Sequence, residues 1–309
     1  MRVEGETERR ENVLQTLYQH GYALDEVRFK TGRPDRATLA LLTKSGAPVV
    51  AKLYPEGGGE TTYANMQNVW RSSFGQRRTP PGLPQPLEYL PESNVLIMER
   101  LPGRPLLELA DAPEETFAAA VRLLAALHES DAQPVTRRSS RAIVRSAKRK
   151  AARIAELAPD FVPAINPVVE ALEAARAHDS ELAPSHGDFS PRNILVAEDR
   201  LALIDWDRFQ WADPARDVAY LGASCWVTTL RRGDRADWSK LERAVAVYQS
   251  VRPDAVLKPQ LSFHVAAALV RMAHSLVELW PQEQRLVPEL AREALRQLAQ
   301  KGFRVGPPR

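Results

Sequence analysis

The spacing of hydrophobic residues over the first hundred positions predicts helices flanking a small sheet. Apolar residues at helical spacing in RRENVLQTLYQH (9–20) predict an amphipathic helix. Short apolar or alternating runs follow, with turn-forming residues such as Ser45 and Gly46 between them. The predicted strands are LDEVRFK (24–30), ATLALLT (37–43), PVVAKLY (48–54), PLEYL (86–90) and NVLIMER (94–100).

The pattern changes from strands to helices after LPGRPL (101–106). A helix in ETTYANMQNVWRSS (60–73) is expected to lie across the sheet, and almost everything beyond residue 106 has helical spacing. The exceptions are NILVA and RLALIDW, which flank EDR as a small hairpin. We therefore expect an α+β chain with an N-terminal domain at 1–101 and a mostly helical C-terminal domain at 102–309.

Composition excludes several classes of protein. The single cysteine, Cys225, cannot form an internal disulfide, and no apolar segment resembles a signal peptide or membrane span, so we expect a cytoplasmic protein without a membrane partner. The net charge is +3, from 42 Lys and Arg against 39 Asp and Glu. That excess is too small to indicate a nucleic-acid partner.

The candidate chemistry lies in SHGDFSPRNILV (185–196) and LALIDWDRF (201–209). The first stretch contains Asp188 and Asn193, and the second ends a strand on Asp205. Mg²⁺ prefers hard oxygen ligands, and one amide plus one carboxylate, with nucleotide phosphates, would suit it. Asn193 and Asp205 can supply those ligands, which leaves Asp188 to accept a proton from an attacking hydroxyl.

This arrangement resembles a known family. HGDxxxxN followed by IDWD, with DPARDVA downstream, is similar to the aminoglycoside phosphotransferase family and its relatives with a protein-kinase-like, two-lobe fold. The resemblance implies that Asp188 is the catalytic base and that Asn193 and Asp205 hold magnesium. It also implies that His186 and Asp217 brace the loop through hydrogen bonds.

A kinase-like fold also needs a strand lysine for the nucleotide phosphates, and VVAKLY supplies Lys52. The run VLIMERLPG then resembles the hinge of that fold. Met98 would wall the adenine, while the backbone carbonyl of Glu99 and the N–H of Leu101 would face its edge. The cofactors expected on this basis are Mg²⁺ and ATP or GTP.

Two features depart from the kinase pattern. The first interstrand loop is TGRPDR rather than GxGxxG, so Gly32 and Arg36 either cover phosphate oxygens or form an exposed basic hairpin. The helix acid that usually pairs with the strand lysine should fall near Thr62, but the nearest acid is Glu60. Either Glu60 reaches Lys52 from the start of the helix, or the pair is absent.

Two functions are compatible with these residues. The first is a kinase that transfers the γ-phosphoryl group of ATP or GTP to a hydroxyl of a small molecule. The second is a catalytically inactive, kinase-like nucleotide-binding module, motivated by the missing glycine loop.

Asp207 either reaches a second metal ion or is a solvated turn acid.

The acceptor is less constrained. Residues 137–153 contain eight Lys or Arg and no acid, which predicts a basic helix. This helix is either a solvated face, a clamp for an anionic substrate or a contact for nucleic acid. Residues 253–309 contain five acids and eight bases, which weakens the case for a polycationic acceptor. Neutral or anionic hydroxyl compounds are therefore still possible as acceptors.

Overall fold

The N-terminal part of the chain forms a five-stranded antiparallel sheet in the order β1-β2-β3-β5-β4. This sheet, followed by a helical C-terminal part, confirms the predicted fold class. Its strands are β1 (Tyr22–Phe29), β2 (Ala37–Thr43), β3 (Pro48–Leu53), β4 (Pro86–Leu90) and β5 (Val95–Glu99). The structure, a computed structural model, describes residues 2–29, 37–54, 57–77, 79–109, 113–176, 181–255 and 257–300.

Helices cover the two faces of this sheet. Helix α1 (Arg2–Gln19) packs Val13 and Leu17 onto one face, and α2 (Gly59–Arg71) packs Met66 and Val69 toward the other. The short helix α3 (Ser73–Gln76) follows α2. The predicted helix across the sheet is therefore present.

The alternation of side chains along β3 decides which residues reach the site. Val49 and Ala51 are buried against α1, so the intervening Val50 and Lys52 point to the opposite face. Lys52 is paired with Thr38 of β2, and Val50 with Met98 of β5. A register shift of one residue would bury the Lys52 ammonium group in the apolar layer beneath α1.

A short connection joins the sheet to the helical part. Gly103 has φ 109°, and a Cβ there would lie 2.6 Å from the carbonyl oxygen of Val196. Only glycine fits this close approach without strain. The sheet ends at Glu99 and the next α-helix begins at Glu114; a domain boundary at residue 101 remains our proposal.

Two small sheets connect the loops of the C-terminal part. The predicted hairpin is formed by β9 (Ile194–Val196) and β10 (Leu201–Leu203), and β6 (Arg104–Pro105) pairs with β9. The expectation that all else would be helical was wrong. A second sheet contains β7 (Arg137–Arg138), β11 (Gln210–Ala212) and β8 (Ala183–Ser185).

Seven further helices form the C-terminal part that the structure describes. Helix α9 contacts α5, α6, α7 and α10 and is therefore central to the packing. None of the helices in the described part of the chain is long and apolar enough to cross a membrane. The helices are α4 (Glu114–His128), α5 (Ser140–Leu157), α6 (Val162–Ala174), α7 (Ala215–Arg231), α8 (Ser239–Val251), α9 (Lys258–Leu279) and α10 (Val287–Ala299).

Candidate active site

The loop between β8 and β9 is shaped by a glycine. Gly187 has φ 76°, and a Cβ at this position would lie 2.3 Å from the carbonyl oxygen of Arg208. Both the left-handed backbone and the close approach exclude larger residues. The turn lets the next residue, Asp188, line the large cavity of the C-terminal part.

His186 is completely buried and connects this loop to the strand that leads to Asp205. Its Nδ1 accepts a hydrogen bond from the Asp188 N–H at 3.3 Å, and its Nε2 lies 3.0 Å from the carbonyl oxygen of Ile204. The ring must therefore be protonated on Nε2 alone, because a backbone N–H needs an acceptor and a carbonyl needs a donor. Burial lowers the pKa of His186, which favours this neutral form.

Asp217, at the start of α7, anchors the loop from the other side. Its Oδ1 accepts the Gly187 N–H at 2.8 Å, and its Oδ2 lies 3.3 Å from His128 Nε2. His128 Nδ1 in turn lies 2.8 Å from the hydroxyl of Tyr248. Burial opposes the negative charge of Asp217, but the hydrogen bond and charge of His128 lower its pKa. The buried carboxylate is thus held in place by partners on α4 and α8.

Asp188 is held by two arginines. Arg271 Nη2 donates to Asp188 Oδ1 at 2.8 Å, and Arg192 Nη2 donates to Oδ2 at 3.2 Å. Burial would raise the pKa of this carboxyl group, but the charges of Arg271 and Arg192 outweigh it and lower the pKa to about 2. Asp188 is therefore ionised at any physiological pH.

Asn193 and Asp205 are brought to one cavity and carry oxygen ligands suited to Mg²⁺. The Asn193 Nδ2 donates to the Asp188 carbonyl at 2.9 Å, which fixes the orientation of the amide and directs its oxygen away from that contact. The Ile204 N–H donates to the Asn193 carbonyl at 3.0 Å, so the residue before Asp205 is tied to the loop. Asp205 itself has the left-handed backbone φ 68°, ψ 61°.

The donor set fits a magnesium ion completed by other ligands rather than a closed protein cage. Within the described ranges, no group of three or more His, Cys, Asp or Glu side chains could hold a metal ion. Mg²⁺ usually takes one or two carboxylates and keeps waters or substrate phosphates in its remaining positions. One amide and one carboxylate are therefore a sufficient protein contribution.

Lys52 bridges the two acids that follow β10. Its Nζ lies 2.6 Å from Asp205 Oδ1 and 2.6 Å from Asp207 Oδ1, and the hydroxyl of Tyr54 donates to the same Asp207 oxygen at 2.7 Å. Burial opposes the ammonium charge, but the carboxylate of Asp205, followed by Tyr54 and Asp207, raises the pKa of Lys52. Lys52 remains charged and neutralises part of this acidic pair.

The alternative in which Glu60 reaches Lys52 is wrong. Glu60 is exposed in the first turn of α2 and contacts no charged group in the parts of the chain that the structure describes. Thr62, where the acid of the kinase pattern was expected, is buried and faces the cavity. The acids contacting Lys52 are instead Asp205 and Asp207, 153 and 155 residues away in the sequence.

Two cavities meet at these acids. A cavity of about 390 Å³ lies under the five-stranded sheet. A second cavity, of about 650 Å³, lies among the C-terminal helices and contains Asp188. Arg192, Asp205 and Asp207 line both cavities. The smaller one also contains the predicted nucleotide-binding residues Lys52, Met98, Glu99 and Leu101, together with Asn193. The predicted phosphate contacts Gly32 and Arg36 lie outside the described residues.

Several side chains of the site were missed by sequence reasoning. Tyr54 follows the strand lysine by two positions, so its placement beside Lys52 could have been found from the β alternation. Arg271 lies in the middle of α9, 83 residues from Asp188, without any local motif. Lys150 belongs to the basic segment that was recognised, but its orientation toward the large cavity was not predicted.

Known proteins provide independent evidence. The model of the phosphotransferase enzyme family matches residues 31–253, which is most of the chain. This match confirms the family and the enzyme class, small-molecule kinase, that the motifs predicted. No curated protein matches the sequence significantly.

Solved structures share the fold. An aminoglycoside 3′-phosphotransferase of type VIII is 22% identical with a TM-score of 0.63, over 85% of this chain and 98% of that one. The choline kinase LicA from Streptococcus pneumoniae is 14% identical with a TM-score of 0.64, over 94% and 98%.

A thermostable mutant of an aminoglycoside phosphotransferase, solved in a ternary complex with AMP-PNP and hygromycin B, is 17% identical. Its TM-score is 0.64, and the alignment covers 93% of this chain and 99% of that one. These likenesses show the fold, and the family match goes further: this chain belongs to the phosphotransferase enzyme family.

Proposed function

We propose that the protein transfers the γ-phosphoryl group of ATP or GTP, with Mg²⁺, to a hydroxyl group of a small molecule. The observation that carries this proposal is the meeting of two cavities at Asp205 and Asp207, with Lys52 on one side and Asp188 on the other. A nucleotide in the smaller cavity would place its terminal phosphate near the junction. An acceptor in the larger cavity would reach the same point from the side of Asp188.

The smaller cavity has the chemistry that a nucleotide requires. Its lining is largely apolar at the sheet end, where Val50 and Met98 could contact the base, and charged at the other end, where Lys52 could contact phosphates. A neighbour of the same fold was solved with AMP-PNP, which supports the same use here. When bound at Asn193 and Asp205, Mg²⁺ would offset the negative charge of the phosphates.

The proposed step forms a bond between the acceptor oxygen and the γ-phosphorus and breaks the bond to the β-phosphate oxygen, leaving a nucleoside diphosphate. The hydroxyl proton passes to Asp188. Phosphoryl transfer is largely dissociative, so the acceptor oxygen becomes acidic only late in the step. A carboxylate with a pKa of about 2 therefore acts mainly by accepting the hydroxyl hydrogen bond and orienting the oxygen.

The proposal is tested by an Asp188→Asn variant. Turnover should be measured as ADP or GDP release with Mg²⁺ and a panel of hydroxyl compounds, and nucleotide affinity by calorimetry. Loss of one positioned proton acceptor lowers such rates by about 10²–10⁴-fold, while Asp188 lies outside the nucleotide cavity and the affinity should change little. Asp199→Asn, in the exposed turn of the β9–β10 hairpin, is the matched control.

The inactive-module alternative makes the opposite prediction. Nucleotide would still bind, but any Mg²⁺-dependent nucleotide turnover would be equal in the wild type and the Asp188→Asn variant. That result would refute the assignment of Asp188 as the group that receives the proton.

A further inference from the structure

A basic recess extends from the large cavity beneath the Asp188 loop. Its volume is about 50 Å³. About 10–15 Å³ of such space holds one water molecule, so the recess has room for a compact group of several heavy atoms. It shares Lys150, Arg208, Tyr220 and Arg271 with the large cavity. Five cationic side chains and no carboxylate line it: Arg138, Lys150, Arg208, Arg216 and Arg271.

Two of these cations, Arg271 and Arg216, donate hydrogen bonds to other groups of the protein. Arg271 Nη1 donates to the Gly187 carbonyl at 3.1 Å and its Nη2 to Asp188. Arg216 Nη2 also donates to the Gly187 carbonyl, at 3.2 Å. However, Arg216 Nη1 is buried and has no hydrogen-bond partner among the residues that the structure describes. A buried donor without a partner is costly, and such an atom indicates a missing ligand or water.

The other three cations have no acidic partner in the ranges that the structure describes. Arg138 Nε is buried without a hydrogen-bond partner in the described part of the chain. Among the described groups, Lys150 Nζ donates only to the hydroxyl of Ser146, at 2.7 Å. Arg208 makes no side-chain hydrogen bond or ion pair with any residue that the structure describes, although it is close to Arg271. Three positive charges are therefore gathered at one recess: in the described part of the chain Arg138 and Lys150 have no carboxylate nearby, and Arg208 is within electrostatic range of Asp188 and Asp205 without contacting either.

The charges of these groups disturb one another. Burial, then the charges of Arg208 and Arg271, lower the pKa of Lys150 to about 8. The charge of Arg271, then burial, lowers the pKa of Arg208 to about 10. Such an arrangement is unfavourable without an anion and becomes favourable when one is bound. Exposed basic residues of α5, the helix that carries Lys150, have acidic partners instead; Lys148 and Arg153 are examples.

We propose that this recess binds an oxyanion group, a phosphate or a carboxylate, of the acceptor whose hydroxyl is presented to Asp188. Guanidinium groups match the geometry of both oxyanions and can contact them through two hydrogen bonds. Arg271 contacts Asp188 and also lines the recess, so an anion there would lie next to the reacting group. This inference rests on the proposed function and makes it specific: the acceptor is an anionic hydroxyl compound rather than a polycation.

Inorganic phosphate is the first probe, titrated into the full-length protein by calorimetry at low ionic strength. We expect a dissociation constant of roughly 1 mM or tighter. Lys150→Gln should weaken binding by about 10- to 150-fold, which is the equivalent of the roughly 1.5–3 kcal/mol that a hydrogen bond to a charged group contributes. Lys148→Gln, the same change two residues away on the exposed side of α5, should leave the affinity unchanged.

Three results would overturn the inference. One is the absence of phosphate binding to the wild type. Another is a loss of affinity in Lys150→Gln no larger than in Lys148→Gln. The third is binding that disappears in Lys52→Met but persists in Lys150→Gln, because the phosphate would then occupy the nucleotide cavity.

Acetate is the second probe and identifies the oxyanion. Phosphate binding that exceeds acetate binding supports a phosphate-bearing acceptor, and equal affinities support a carboxylate. Failure of the two proposals can be told apart. Mg²⁺-dependent turnover without phosphate binding in the recess would overturn only the proposal of an anionic acceptor. Phosphate binding together with turnover that Asp188→Asn does not change would overturn only the proposed catalysis.

Discussion

Replacing Lys52 with methionine tests the electrostatics of the junction between the two cavities. The Lys52 Nζ lies 2.6 Å from one oxygen each of Asp205 and Asp207. The three side chains are only 11%, 15% and 17% exposed, so water solvates them poorly. Methionine retains most of the volume of lysine but removes the ammonium group that contacts both carboxylates.

The size of the effect follows from this burial. Removing one partner of a buried ion pair costs about 3–5 kcal/mol. The residual exposure and the adjoining cavity allow water to recover part of that cost, so we expect a loss of about 3 kcal/mol in the free energy of unfolding. At an unfolding entropy of about 2.1 cal/mol/K per residue, the Tm of this chain should fall by roughly 5 °C.

Magnesium should reverse the defect in this variant. Mg²⁺ at Asn193 and Asp205 would supply the missing positive charge, and a ligand that binds only the native state raises its stability. Thermal unfolding of wild type, Lys52→Met and Lys44→Met, with and without Mg²⁺, measures both effects. Lys44 is exposed in the turn between β2 and β3, and its replacement controls for the loss of a lysine. A Tm for Lys52→Met equal to that of Lys44→Met, or an equal response of both to Mg²⁺, would refute the reasoning.

Two further predictions concern Asp188 and its support. His128→Ala removes the buried partner of Asp217, and Asp217 holds the Gly187 N–H. We expect kcat to decrease with little change in the KM for the nucleotide. Steady-state kinetics would check this, with His20→Ala, at an exposed histidine, as the control. The pKa of Asp188 is about 2, below the value of about 3.9 for an unfolded aspartate. Its contribution to stability should therefore be complete above about pH 4 and be lost as the pH falls toward 2. Urea unfolding from pH 2 to 5 should show this dependence in the wild type and a weaker one in Asp188→Asn, and identical curves would contradict it.

The strands and most helices could be predicted because their signals are local. Alternation in PVVAKL and turn residues after Thr43 are sufficient to place β3 and its connection to β2. The two-residue strand β7 (Arg137–Arg138) could not be predicted in this way. Its residues continue a helical pattern, and only pairing with Trp211 and Ala212 of β11 makes them a strand.

The candidate site was predicted in part, for the same reason. Asp188 and Asn193 belong to one short loop, so their spacing is visible in the sequence. The acidic partners of Lys52 do not follow from the kinase pattern, because that pattern places the pairing acid on α2 rather than at Asp207. Arg271, one of the two arginines that neutralise Asp188, has no motif that distinguishes it from other arginines of the chain.

The sequence alone determined the order of the main strands and helices, and it led us to propose Asn193 and Asp205 as oxygen ligands for a metal. These depend on backbone periodicity and on neighbours within a few residues. Tertiary structure decided which charges meet. The basic segment has the spacing of one amphipathic helix, but the packing of α5 against α9 directs Lys150 into a recess with Arg271 and leaves Lys148 exposed. Such contacts depend on how distant helices pack, and no local pattern encodes that arrangement.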